Sequence, residues 1–218
     1  MLFIANQRTI LSKAPIALLA FQSILTCSSF STSMAAASNT PQFSKFALSK
    51  MSNGEGYVEN VSPRATQLIQ DSIDLFSAKP SHEIFKRSWT PDSVFEDPLC
   101  YAKGERQYKV QWWGLAAAFS KCDLKAWHVT KDEPTQVSYV QRVAYTFKGF
   151  GWTKEIISTI SMKLNEDGKV IHMQDRWDHQ DPPANFIAWP LRRLNALAVP
   201  LFVTIPSEDK AKPGHADL

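Results

Sequence analysis

The hydrophobic pattern of the chain changes its period near Cys122, and this change constrains the fold most. Before it, apolar residues recur at helical spacing, as at Leu68, Ile69, Ile73 and Phe76. After it, apolar and polar residues alternate, as in strands with one buried face. Helices followed by a run of antiparallel strands predict an α+β domain in which a curved sheet wraps around helices and encloses a pocket.

Caps and turn formers divide this pattern into elements. Pro63 follows the N-cap candidate Ser62 and opens the first helix, which Pro80 ends. Gly168 supplies the positive φ that a tight turn before the last strand requires. The predicted helices cover 63–78, 81–89 and 104–120. The predicted strands cover 93–97, 124–130, 136–147, 154–164 and 169–178.

Residues 1–54 have the composition of a targeting or disordered leader. They contain no Asp or Glu, are rich in Ser, and carry an apolar run, 16–25, that is too short for a membrane span. Basic residues spread along such a segment predict a mitochondrial transit peptide. The alternatives are a secretory signal, or a cytoplasmic protein translated from Met34 or Met51.

The rest of the chain is nearly neutral, because 20 Lys and Arg face 21 Asp and Glu after residue 54. This balance argues against a nucleic-acid partner. Cys27, Cys100 and Cys122 have neither zinc-site nor disulfide-framework spacing. There is no phosphate loop, Gly-rich nucleotide fingerprint or serine-nucleophile elbow. The sequence therefore predicts no metal and no cofactor.

An apolar extension, residues 181–206, follows the predicted strands and precedes a flexible tail, 207–218. Pro190, Pro200 and the pair Arg192-Arg193 interrupt it, so it is not predicted to span a membrane. We expect it to pack on its own domain or on a second subunit of a homodimer. Arg192 and Arg193 would then reach solvent, an acidic partner or lipid headgroups, and peripheral membrane contact is the alternative.

The order of elements resembles a known superfamily. A strand ending in Glu96-Asp97-Pro98, the helix opened by Gly104 and rich in aromatics, and the closing run 167–178 are similar to the NTF2-like superfamily. Its SnoaL-like and ketosteroid-isomerase-like branches match best. The resemblance covers about 64–180 and implies a cone-shaped half-barrel over residues 55–180, with N-terminal helices on a curved antiparallel sheet around a pocket.

The resemblance carries three candidate catalytic residues onto this chain. Asp97 matches the general base of ketosteroid isomerases. Arg142 and Asp175 match an Arg and an Asp of limonene-epoxide hydrolases, and Asp175 also matches the acid/base of SnoaL-type cyclases. The second Asp of the hydrolases falls on Ala144, so one carboxylate of that reaction is missing.

The same comparison of matching positions argues against steroid isomerisation. The two oxyanion-hole donors of the ketosteroid isomerases fall on Ile73 and Ile160, which are apolar and donate no hydrogen bond. Asp97 also has a structural alternative, since Asp before Pro98 at a strand end commonly forms a turn.

Strand alternation puts Asp175 on the same face as Ile171, Met173 and Trp177. An acid in an apolar row is paired or functional, because burying it alone is costly. The catalytic hypothesis requires Arg142 on that face too, and the alternative is a plain cross-strand ion pair. The predicted substrate contacts are Trp112, Ile160, Met173 and Trp177.

The superfamily contains both enzymes and non-catalytic binders, so its fold does not choose a function. The sequence favours a small-molecule pocket protein, a lyase, isomerase or hydrolase of an apolar compound. The alternative is a non-catalytic NTF2-like binding or dimerisation module.

Overall fold

The computed structural model describes residues 51–208. The helices within that range are α1 (Pro63–Phe76), α2 (His82–Ser88), α3 (Glu105–Ala118) and α4 (Ala188–Phe202). The strands are β1 (Trp89–Asp97), β2 (Cys100–Lys103), β3 (Phe119–Glu133), β4 (Gln136–Phe147), β5 (Thr153–Leu164) and β6 (Val170–Trp177). The predicted leader, apart from 51–54, and the tail beyond 208 lie outside the described residues.

The six strands form one unclosed sheet in the order β2-β1-β6-β5-β4-β3. All neighbouring strands are antiparallel except β1 and β6, which run parallel. Helices α1 to α3 pack on one face, which we call the inner face, and the buried apolar residues of helices and strands form a common core there. This arrangement confirms the predicted α+β half-barrel.

The start of α1 follows the predicted capping. Ser62 Oγ accepts a hydrogen bond from Ala65 N at 3.2 Å, which satisfies one of the free amides of the first helical turn. The same hydroxyl donates to Asp132 Oδ1 at 3.1 Å, and Ser62 N donates to Asp132 Oδ2 at 2.7 Å. The cap therefore also ties α1 to the end of β3.

Strand boundaries differ most from the prediction at three places, the first being β1, which begins at Trp89 and not at residue 93. β2 was not predicted, because Pro98 interrupts the pattern and only four residues follow the turn. β3 is 15 residues long where seven were predicted, since register shifts interrupt its period-two alternation, for example between Leu124 and Ala126. The positive φ predicted for Gly168 is confirmed at 79°.

Helix α4 lies against α3 and β2, at one edge of the sheet. Val199 of α4 approaches within 3.7 Å of the position that a Cβ on Gly114 of α3 would occupy, so the small residue allows close packing. No helix in the described part of the chain is long and apolar enough to cross a membrane.

Candidate functional site

Three rows of side chains cross the inner face of the sheet and form the floor of the candidate site. The middle row contains Tyr139, Ile160 and Asp175, which are direct neighbours on β4, β5 and β6. The row on one side is apolar and contains Val137, Met162, Met173 and Phe95. The row on the other side contains Trp127, Gln141, Ser158 and Trp177. The strand register thus brings together four predicted residues: Ile160, Met173, Asp175 and Trp177.

Arg142 does not belong to this floor. It pairs with Ile157, three residues along β5 from the Ile160 that pairs with Asp175. Because side chains alternate along a strand, an odd separation puts Arg142 and Asp175 on opposite faces. Arg142 Nη1 instead lies 4.0 Å from Glu155 Oε2.

The predicted Arg142–Asp175 pair is therefore wrong, and the catalytic hypothesis built on it falls. Ala144 also lies on the outer face, so that face holds both positions that the epoxide-hydrolase comparison used beside Asp175. Ile171 does not share the buried face of Asp175, as alternation had predicted. The pairing between β5 and β6 skips Ile171, and its side chain is half-exposed.

Asp175 is buried among apolar side chains, with 4% of its surface exposed. Its Oδ2 accepts a hydrogen bond from Trp177 Nε1 at 2.9 Å, whereas Oδ1 is buried and has no hydrogen-bond partner within residues 51–208. Burial raises the pKa of Asp175 to about 7, and the charge of Asp97 adds to that rise, while the hydrogen bond from Trp177 and the nearby Ser158 hydroxyl oppose it. Near neutral pH the protonated and ionised forms of the Asp175 carboxyl are therefore similarly populated.

Asp97 forms the turn between β1 and β2 and is also a second acid of the site. Its Oδ1 accepts hydrogen bonds from Leu99 N at 2.7 Å and Cys100 N at 2.6 Å, so the structural alternative given for this residue is present. Burial nevertheless raises the pKa of Asp97 to about 6, against the lowering effect of those two amides. The charge of Asp97 raises the pKa of Asp175, so the two acids are electrostatically coupled.

Trp112 of α3 lies over the apolar row. Its ring centroid is 4.7 Å from that of Phe95, and Phe95 pairs with Met173, two residues before Asp175. The side chain is fully buried, yet its indole Nε1 has no hydrogen-bond partner in the described range. Its neighbour Trp113 turns away from this point and is only partly buried, as the helical angle between adjacent residues requires.

A buried hydrogen-bond chain that the sequence did not reveal lies beside Asp175. Ser72 of α1 and the Tyr139 hydroxyl are 2.7 Å apart, and Tyr139 donates to Gln141 Oε1 at 3.3 Å. Burial raises the pKa of Tyr139 far above its usual value, so the phenol stays protonated. Alternation already put Tyr139 on the inner face, and a buried tyrosine hydroxyl needs a partner, but only the fold identifies Ser72.

The interior toward α2 is filled by aromatic rings. Trp112 contacts Phe76 and Trp89 edge-on, with centroids 5.0 and 6.5 Å away, and Trp89 stacks on Tyr108 at 4.8 Å. The two acids lie beyond this cluster, nearer the row that includes the half-exposed Trp127. The site is therefore bounded on one side by packed rings and on the other by polar groups.

A charged network holds α4 behind the turn that carries Asp97. Arg192, with 3% of its surface exposed, donates to Glu96 Oε2 at 2.6 Å and to Asp97 O at 2.9 Å. His172 Nε2 and Glu96 Oε1 are 2.9 Å apart. Burial opposes ionisation of Glu96, but the hydrogen bonds from His172 and Arg192 outweigh it and lower the pKa of Glu96 to about 2. Of the three contacts expected for Arg192, the structure shows an acidic partner, which is Glu96 of the same domain.

No three His, Cys, Asp or Glu side chains between residues 51 and 208 are grouped so that they could hold a metal ion. What the arrangement can do chemically is transfer protons and hold an uncharged group. It offers an acid with a free oxygen, a second acid coupled to it, and a free indole N–H donor.

No family model and no curated protein matches the chain. Solved structures do resemble it. An NTF2-like protein from Anabaena variabilis ATCC 29413 is 16% identical with a TM-score of 0.46, over 56% of this chain and 95% of that one. A protein of the SnoaL-like family from Agrobacterium tumefaciens str. C58 is 12% identical with a TM-score of 0.43, over 53% and 98%.

RV0760c from Mycobacterium tuberculosis, solved in complex with estradiol-17beta-hemisuccinate, is 19% identical with a TM-score of 0.44, over 53% of this chain and 95% of that one. At such identities these resemblances concern the fold alone and assign no activity. The chain's own element order and strand order build the α+β half-barrel that the sequence predicted.

Proposed function

We propose that this protein is an enzyme that moves a proton within a small, uncharged and largely apolar carbonyl compound, with Asp175 as the group that takes and returns the proton. The observation that carries the proposal is the buried Oδ1 of Asp175, which has no partner among the described residues and lies near the apolar side chains of Ile160 and Met173. A buried polar atom without a partner is costly, and a bound substrate would supply one.

The environment of Asp175 supports this role. A pKa of about 7 makes both protonation states available near neutral pH, which is the property a group needs to act as base and then as acid. Its neighbours Ile160 and Met173 are fully buried and apolar, so they favour a hydrophobic ligand. A second negative charge at Asp97 disfavours an anionic substrate.

The reaction needs nothing beyond substrate and side chains. Asp175 removes a proton from the carbon beside the carbonyl, and the electrons of that C–H bond shift towards the carbonyl oxygen to give an enolate. The Nε1–H of Trp112 donates a hydrogen bond to that oxygen, in place of the donors missing at Ile73 and Ile160. In a β,γ-unsaturated substrate this enolate is a dienolate, and Asp175 returns the proton to its γ carbon, so the carbon–carbon double bond moves into conjugation with the carbonyl and the enzyme is unchanged. The reaction class is an isomerisation.

A test that requires no knowledge of the natural substrate is hydrogen–deuterium exchange at carbon. Uncharged cyclic ketones and enones are incubated with the full chain in D₂O, and loss of the proton signal beside the carbonyl is followed by ¹H NMR. We expect the wild type to accelerate exchange and Asp175→Asn to abolish it. Trp112→Phe should slow it about a hundredfold, as removal of one oxyanion donor does in other enzymes.

The matched control is Asp92→Asn, which removes an exposed carboxylate from the same chain and should exchange at the wild-type rate. Undiminished exchange in Asp175→Asn, or no acceleration by the wild type with any compound of the set, contradicts the proposal.

A second candidate function is a non-catalytic binding or assembly module. The packed rings around Trp112 favour it, because they occupy interior volume that a ligand would otherwise fill. In that case Trp112→Phe changes stability alone, and no compound protects the protein against unfolding.

A further inference from the structure

Gln141, in the row of the inner face next to Asp175, carries hydrogen-bond donors that the described part of the chain does not use. Its side chain is 1% exposed, and its Oε1 accepts the hydrogen bond of the Tyr139 hydroxyl at 3.3 Å. That bond identifies the oxygen end of the amide, so the other end is Nε2 with two N–H groups. Nε2 donates to no residue within 51–208. Because buried donors without an acceptor are costly, a bound molecule that supplies an acceptor stabilises this position.

Gln141 is linked to Asp175 by the residues between them. It pairs directly with Ser158 on β5, and Ser158 pairs with Trp177 on β6. The Ser158 hydroxyl is near enough to lower the pKa of Asp175, and Trp177 Nε1 donates to Asp175 Oδ2 at 2.9 Å. A molecule that contacts the free Oδ1 of Asp175 therefore has Ser158 beside it, and then Gln141.

Two indole rings lie at the ends of the row that contains Gln141. Trp127 pairs with Gln141 and is 47% exposed, and Trp177 lies at the other end. Four strands contribute to the row, and neighbouring strands are about 4.8 Å apart, so the row is roughly 14 Å long. This length accommodates two fused rings, and flat rings pack well on indole faces. The exposed Trp127 indicates that the row opens to solvent at β3.

The charges near this row favour an uncharged acceptor. None of its four residues, Trp127, Gln141, Ser158 and Trp177, is basic. Asp175, with Asp97 coupled to it, lies in the adjoining part of the site. A carboxylate or phosphate would be repelled by these acids and would find no cation in the row. A carbonyl oxygen is neutral and accepts the hydrogen bonds of an amide.

We infer that Gln141 determines the specificity of this site, because its amide donates to a second carbonyl oxygen of a fused-ring ketone while Asp175 acts beside the first carbonyl. The inference rests on the proposed function, which places the reacting carbon at Asp175. Two strand spacings separate β4 from β6, so the second oxygen lies roughly 5–10 Å from the reacting carbon. Gln141 contributes to binding and takes no part in the proton transfer.

Isothermal titration calorimetry of the full chain with two matched ketones tests this inference. The compound 6-acetyl-1-tetralone carries the second carbonyl, and 6-isopropyl-1-tetralone has nearly the same shape without that acceptor. Gln141→Met keeps the length of the side chain and removes both N–H donors. The ratio of the two affinities, acetyl over isopropyl, should be about tenfold higher in the wild type than in Gln141→Met, as expected for one hydrogen bond. Comparing ratios cancels the difference in polarity between the ketones.

The matched control is Gln136→Met, the same substitution on the same strand. Gln136 is five residues from Gln141, and this odd separation puts it on the outer face of the sheet. Its ratio should equal that of the wild type, and circular dichroism shows whether each variant is folded. Equal ratios in the wild type and Gln141→Met, an equal fall in Gln136→Met, or no binding of either ketone overturns the inference.

Deuterium exchange in the same two ketones separates this inference from the proposed function. A tenfold change in the affinity ratio without exchange beside the ring carbonyl contradicts the isomerase and supports recognition by Gln141. Exchange catalysed by the wild type, with the same affinity ratio in Gln141→Met, supports the isomerase and overturns the role of Gln141.

Discussion

Replacing Asp175 by Asn should stabilise the protein at alkaline pH and leave its stability nearly unchanged in acid. The folded protein holds the Asp175 proton with a pKa of about 7, whereas an Asp in an unfolded chain has a pKa of about 4. Between these two values the folded state binds more protons than the unfolded state. The contribution of Asp175 to the free energy of unfolding therefore falls as the pH rises from 4 to 7. It is constant above and below that range.

The size of the effect follows from the difference in pKa. Three pKa units correspond to about 4 kcal/mol, and the coupling to Asp97 makes this an upper bound because part of the shift belongs to the pair. Asn resembles the protonated acid and accepts the hydrogen bond of Trp177 through its amide oxygen. The free energy of unfolding of Asp175→Asn should therefore exceed that of the wild type by up to about 4 kcal/mol at pH 8 and by almost nothing at pH 4.

Urea unfolding followed by circular dichroism at pH 4.5, 6 and 8 measures this difference directly. Asp92→Asn, which removes an exposed carboxylate, should follow the wild type at each pH. The reasoning is refuted if Asp175→Asn and the wild type lose stability in parallel between pH 4.5 and 8, or if the variant is the less stable protein at pH 8.

Three further outcomes are expected. Arg192→Ala should lower the free energy of unfolding by about 3–5 kcal/mol in urea titrations, since it leaves the Glu96 carboxylate without its buried partner, and Arg192→Lys should restore only part of this. Ser72→Ala should lower the free energy of unfolding by about 1–2 kcal/mol in the same titrations. The double variant Ser72→Ala, Tyr139→Phe should be little less stable than Ser72→Ala alone. Glu96→Gln should destabilise the protein at pH 7 but not at pH 2, because the lowered pKa of Glu96 gives stability that is present above pH 4 to 5 and is lost as the pH falls towards 2.

Local patterns in the sequence determined the elements of the fold and the face on which many side chains lie. Helical spacing placed α1 and α3, alternation placed β4 to β6, and the positive φ of Gly168 followed from the turn it makes. These predictions succeed because each rests on neighbours within a few residues. The buried position of Asp175 between Met173 and Trp177 is of the same kind, since alternation within one strand suffices to predict it.

The tertiary structure decided how separate strands are aligned. Arg142 and Asp175 each follow the alternation of their own strand, yet the register through β5 puts them on opposite faces, and a shift of one residue would have put them together. Register depends on turn lengths and bulges summed over the whole sheet. The partner of Tyr139 was likewise decided by the fold, because Ser72 is 67 residues away in the chain.

The direction of α4 shows the same division between sequence and tertiary structure. The sequence shows an apolar segment with two arginines, and the hydrophobic effect acting on that segment alone predicts buried leucines and exposed guanidinium groups. In the folded domain Glu96 and the carbonyl oxygens of Asp97, Cys100 and Pro183 lie where they can accept every hydrogen bond of Arg192. These acceptors come from segments that meet only in the tertiary structure, and their attraction for a buried guanidinium turns the helix so that its leucines face outward.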